Sequence, residues 1–194
     1  MAGTCITPAK SKKIKLQGKL RQKTKGAYYH YRLTIGFLNS FNISKEKNEM
    51  SYNQSIIERN RETMRKFERC INTNDLALGE ELISASAAFA TPISPEPLYG
   101  AKGYLSVVVL MRESFPDVQW KLVDMVADEK TVAVQWLCSG TFTGTAPFAG
   151  IAPNGRHFST TVMNFYSFDD EGKIIGDVAA TGIAGILQGI GALP

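Results

Sequence analysis

Between residues 53 and 72 the chain has no Gly or Pro, and Ile56, Ile57, Met64, Phe67, Cys70 and Ile71 recur at helical spacing. This pattern predicts an amphipathic helix with a charged outer face. Asn74 reads as the cap of a short second helix over 75–82. A short extended stretch over 84–90 follows, and Pro92, Pro95 and Pro97 predict a loop. A helix is expected over 102–114, ended by Phe115-Pro116, because the residue before a proline is pushed out of the helical region. After Pro116 the period changes from helical to two. Segments 118–127, 131–143, 157–168 and 173–179 are rich in Val, Trp, Phe, Tyr and Thr and are bounded by turn residues, which predicts antiparallel strands. Helices first and strands last point to an α+β domain with helices packed on one face of a sheet. Such a sheet has to curve, and its concave face can enclose a small-molecule cavity. In 131–143 both alternating sets are apolar, Val132, Val134, Trp136 against Ala133, Leu137, so the outer face is expected to be covered by a second copy of the chain.

Charge divides the chain. Residues 1–45 carry eight Lys, two Arg and no acidic residue, a net +10, whereas the remainder sets 12 basic against 18 acidic residues, a net −6. The basic stretch 10–25 has too little apolar surface to offset the entropy of ordering, so 1–49 is expected to be a disordered extension and 50–194 the domain. Met50, where the composition changes, reads as an alternative start of translation. If the basic arm is functional, nucleic acid is its natural partner, through phosphate contacts. The longest apolar run, Val107 to Met111, is too short to cross a bilayer, so no membrane partner is expected. Three scattered cysteines and two histidines suggest neither a disulfide framework nor a metal site, and a cytoplasmic location is the simpler reading. No phosphate-loop, GxSxG or HExxH pattern is present.

Several motifs occur in order: Gly100 to Gly103 entering a helix, FPDV at 115–118, GTFTG at 140–144, GIAPNGR at 150–156, MNFYSFDDEGKI at 163–174 and GILQGIGALP at 185–194. With these the chain, over about 55–194, resembles the SnoaL-like polyketide cyclases of the nuclear-transport-factor-2-like superfamily. The resemblance implies a cone-shaped, curved antiparallel sheet wrapped around the N-terminal helices, a homodimer, no cofactor, and a pocket for a polyketide ester. It also implies ring closure by intramolecular aldol condensation, with an aspartate from the C-terminal part as acid/base. Polar positions of the family are here Ala90, Phe142, Gly176, Val178 and Gly182.

Asp177 is the carboxylate left on the last strand and the candidate acid/base, with His157 a distant second. The alternative for Asp177 is a solvent-facing position beside the acidic turn 169–171. Trp136, Phe142, Asn164 and Tyr166 are the candidate substrate-binding residues, with Trp120 a further aromatic wall. Two functions stand on this reading. One is a cyclase-like protein acting on a small hydrophobic carbonyl compound, polyketide-like or aromatic. The other is a dimeric ligand-binding or interaction domain without catalysis.

Overall fold

The computed structural model describes residues 25–91, 94–180 and 182–193. The basic run up to Thr24 lies outside them. The chain divides into two units between Glu46 and Lys47, and the sheet, the cores and the cavity described below belong to the second, Lys47–Pro194. The first helix, α1, runs Lys25–Thr73 rather than starting near Met50. Its sequence between Ala27 and Ser51 contains no Pro and only one Gly, Gly36, so nothing there interrupts helical hydrogen bonding.

Asn74 ends α1 in the left-handed region, with φ of 54°. The cap of α2 (Leu76–Leu82) is its neighbour Asp75, whose side chain accepts from the Leu78 N–H at 3.0 Å. The expected cap is thus displaced by one residue, because Asn74 is spent on reversing the chain. Pro92 lies outside the described residues, but the part of the predicted loop that holds Pro95 and Pro97 is a strand. Strands β1 (Ala88–Thr91) and β2 (Ser94–Tyr99) pair antiparallel, Phe89 opposite Leu98. Pro95 and Pro97 are two residues apart, so their missing N–H groups fall on one edge of β2 and leave the other free to pair.

Helix α3 (Gly100–Ser114) ends where Phe115 donates its N–H to the Met111 carbonyl at 2.8 Å. Four strands then form one antiparallel sheet in chain order: β3 (Gln119–Ala127), β4 (Thr131–Thr141), β5 (His157–Phe168) and β6 (Ile174–Ala180). These match the predicted strands within about two residues. The edge strand β3 is tied to α1 by side chains. The Asn72 amide bonds the Trp120 backbone in both directions, at 2.7 and 2.9 Å, and Glu68 accepts from the Leu122 N–H at 3.0 Å. These bonds satisfy backbone groups that an edge strand otherwise leaves unpaired.

Alternate residues of the sheet face inward. Val132, Val134 and Trp136 of β4 and Tyr166 and Phe168 of β5 join Met64, Phe67 and Ile71 of α1 and Leu105 and Val108 of α3 in one core. A second core holds Phe115, Val118, Phe142, Phe158, Ile186 and Ile190. The last helix, α4 (Gly182–Gly189), lies on β5. Its glycines at 182, 185 and 189 share one face, and a Cβ on any of them would collide with Val162, Thr160 or Phe158.

Candidate active-site cavity

The concave face of the sheet, α3 and the loop after β4 enclose a cavity of about 550 Å³. Its walls are apolar: Ile71, Val107, Val108, Leu110, Met111, Trp120, Phe148, Val162 and Ile183 contribute. The loop is held on the C-terminal end of α3, since Gly144 donates to the Ser114 carbonyl and Thr145 and Ala146 donate to that of Glu113. It supplies Ala146, Pro147, Phe148 and Ala149 to the cavity wall.

Polar groups gather where β4, β5 and β6 lie side by side. Register places Tyr166 opposite Asp177 and Asn164 opposite Ala179 across the β5 and β6 ladder. Asn164, Tyr166 and Asp177 all line the cavity, with Trp136 beside them and Tyr104 of α3 among the other lining residues. The Asn164 side-chain amide donates to Asp177 Oδ2 at 2.6 Å. Trp136 Nε1 donates to the Tyr166 hydroxyl at 3.2 Å, and that hydroxyl lies 3.4 Å from the one on Tyr104.

The electrostatics follow from burial. Removal from water raises the Asp177 carboxyl above its ordinary range, and the bond from Asn164 only partly offsets this. Burial likewise raises both tyrosine hydroxyls, with the Asp177 carboxylate adding to the effect, so both keep their protons at neutral pH. A carboxylate raised in this way binds its proton more tightly in the folded than in the unfolded chain. Its contribution to stability is present below the ordinary value of 3.8 and is lost as pH rises through the raised folded value. Asp177→Asn, which cannot ionise, is therefore expected to be at least as stable as the wild type at neutral pH. Chemical denaturation of both forms across a pH series checks this: the difference should shrink towards pH 4. A difference that grows towards low pH would contradict the buried carboxyl.

Five of the seven residues singled out from the sequence thus line one cavity: Trp120, Trp136, Asn164, Tyr166 and Asp177. Two do not. Phe142 is fully buried in the second core, its ring tilted at 34° to that of Phe115 with centroids 5.0 Å apart, because the chain leaves β4 at Thr141 and the next side chain packs into that core. His157 is exposed at the start of β5, its Nδ1 3.4 Å from Thr141 Oγ1, while that hydroxyl donates to Asp117 at 2.7 Å.

Three of the positions at which the family is polar also take on a structural meaning. Ile175 is an extra residue at the irregular pairing of β5 with β6, after which Gly176 pairs with exposed Ser167 and Val178 with exposed Phe165, on the outer face. At Gly182 a side chain has no room beside Val162. Ala90 does line the cavity. Tyr104 was not singled out from the sequence. Its signal is the stripe Ala101, Leu105, Val108, whose helical face it shares. Among the described residues no three His, Cys, Asp or Glu side chains cluster as they would around a metal ion.

The SnoaL-like polyketide cyclase family model matches residues 61–188, which run from within α1 into α4 and include every residue that lines the cavity. The chain belongs to the SnoaL-like polyketide cyclase family. Among solved structures, IdmH of Streptomyces antibioticus, proposed to be a polyketide cyclase, is 25% identical with a TM-score of 0.58 over 68% of this chain and 98% of its own. A proposed SnoaL-like cyclase from a Jannaschia species is 20% identical with a TM-score of 0.60, over 72% of this chain and 96% of its own. AclR of Streptomyces galilaeus, proposed to be a hydroxylase, is 19% identical with a TM-score of 0.58, over 71% of this chain and 99% of its own. The last two likenesses bear on the fold alone. No protein of curated function matches the chain.

Proposed function

We propose that this SnoaL-like protein binds a hydrophobic carbonyl compound, polyketide-like or aromatic, and that Asp177 moves a proton at the carbon beside the carbonyl. One observation carries the reading: a carboxylate raised by desolvation stands in a mainly apolar cavity, oriented by Asn164. Such a group is a stronger base than a solvated aspartate and can return the proton as an acid. An intramolecular aldol closure needs this proton transfer and a folded substrate conformer, and the cavity walls supply the second. The test is incubation of the protein with hydrophobic aryl ketones in D₂O, with exchange at the α-carbon followed by NMR. Exchange above the buffer rate supports acid/base competence. Saturable binding without exchange would leave the ligand-binding domain as the better reading.

The protein acts as a homodimer on this proposal. On the outer face Val126, Ala133, Phe165 and Val178 pair in one row across all four strands. Val126 is 70%, Phe165 54% and Val178 71% exposed in the single chain. A continuous apolar row on a sheet face is a surface that a second copy would bury. Phe165→Asp is expected to convert a dimer to a monomer in sedimentation experiments, with the thermal transition of the monomer otherwise retained. A wild-type chain that sediments as a monomer at micromolar concentration would overturn the dimer. Cys70 and Cys138, both buried free thiols, suit a reducing compartment such as the cytoplasm.

A further inference from the structure

Tyr104 and Tyr166 present a hydrogen-bonding arrangement that their own contacts leave incomplete. Trp136 Nε1 donates into the Tyr166 oxygen, so the Tyr166 hydroxyl proton must go elsewhere. The neighbouring Tyr104 oxygen is 3.4 Å away, well beyond the usual length of a bond between hydroxyls. Between them the two phenols hold two protons, and a bond from one to the other would use one of them. The rings are held in place. Tyr104 meets Phe67 and Phe89 edge-on at 5.1 and 4.9 Å, and Tyr166 meets Phe67 at 5.5 Å. Asp177 is opposite Tyr166 in the ladder, on the same inner face, where cross-strand side chains are about 5 Å apart.

We infer that Tyr104 and Tyr166 together hold the substrate's carbonyl oxygen, and that the substrate is an apolar body with one enolisable carbonyl at its inner end. This rests on the reading of Asp177 as the proton-transferring group. Two donors fixed on the site of a developing oxyanion stabilise it without reorganising. Asn164 occupies Oδ2 of Asp177, leaving Oδ1 to act on the adjacent carbon. Asp177 takes the α-proton, the C–H pair becomes a C=C bond, and the carbonyl π pair moves to the oxygen between the phenols. The enolate then regains the proton from Asp177, at the same carbon or at the far end of a conjugated system. Proton exchange and isomerisation are redox-neutral and need no co-reactant. Away from this cluster the lining is apolar except for Glu113 and Ser114 at the end of α3. Further carbonyls along the body would meet Val107, Leu110, Met111 or Ile183 and lose their hydration there.

The test compares naphthalene with methyl naphthyl ketone, followed by quenching of Trp120 and Trp136, which both line the cavity. The ketone is expected to bind about tenfold or more tightly than naphthalene, with each phenolic hydrogen bond contributing about three- to tenfold. Tyr104→Phe and Tyr166→Phe should each remove part of that advantage and the double variant all of it. Unchanged naphthalene affinity in the same variants shows that the cavity is intact. A ketone that binds no better than naphthalene, or an advantage that survives in the double variant, overturns the oxygen site. Asp177 is then still judged separately by deuterium exchange. Failure of both compounds to bind overturns the oxygen site together with the hydrophobic-cavity reading. Tighter binding by a naphthalene carrying a second acetyl group on its far ring would overturn the one-ended substrate class.

Discussion

Asp177→Asn is expected to lower α-proton exchange on a bound aryl ketone by about a hundred- to ten-thousand-fold, the range typical of a lost general base. Asparagine keeps the size of the side chain and still offers an oxygen to the Asn164 amide, so the cavity and its hydrogen bond survive. What disappears is the lone pair that accepts the proton. Binding of the same ketone should therefore change little, and the loss should appear in the exchange rate alone. NMR exchange kinetics at saturating ketone make the comparison. Equal rates for the two proteins would remove Asp177 from the chemistry. The wild-type exchange should also rise with pH through the raised Asp177 value, because only the ionised carboxylate is a base.

Phe67→Ala is expected to cost about 3–5 kcal/mol of stability, the range for deleting a fully buried aromatic side chain. The thermal midpoint should then fall by roughly 6–20 °C for a domain of this size. Phe67 is 0% exposed and lies between the helical layer and the sheet, 6.5 Å from Trp136 and edge-on to both cavity tyrosines. The void left by alanine would loosen the rings of Tyr104 and Tyr166 as well as the core. Phe67→Leu, which refills most of the volume, should recover most of the midpoint. Calorimetry of the three proteins tests this, and a loss below about 1 kcal/mol for the alanine variant would mean that the core collapses around the gap.

Phe67 also illustrates what periodicity can carry. Its place in the stripe of Met64, Cys70 and Ile71 marks it as core from sequence alone, and the same reasoning finds the four long strands to within about two residues. Both signals are local, since burial on one face imposes the spacing directly. The stretch from Ser94 to Pro97 reads as loop for an equally local reason, yet it belongs to a paired strand, because β1 needs only one edge of its partner. The candidate site was partly legible. Asp177, Asn164, Tyr166 and Trp136 carry polar atoms on β-rich segments and do meet in the cavity. Tyr104 was hidden within an apolar helix, and Phe142 and His157 drew attention through motif and chemistry that their positions do not support.

By itself the sequence determined the family, the order of helices and strands, and the presence of one carboxylate on the last strand. These depend on residue type and spacing, which any reading of the chain contains. The tertiary structure decided which way that carboxylate faces. The irregular pairing at Ile175 sends Asp177 inward and Val178 outward, and a shift of one residue would exchange them. It also decided that Asn164, Tyr166 and Tyr104, from a strand and a helix about 60 residues apart in the chain, share one desolvated corner with it. Proximity across elements and exclusion of water are properties of the packed chain, and no local pattern encodes them.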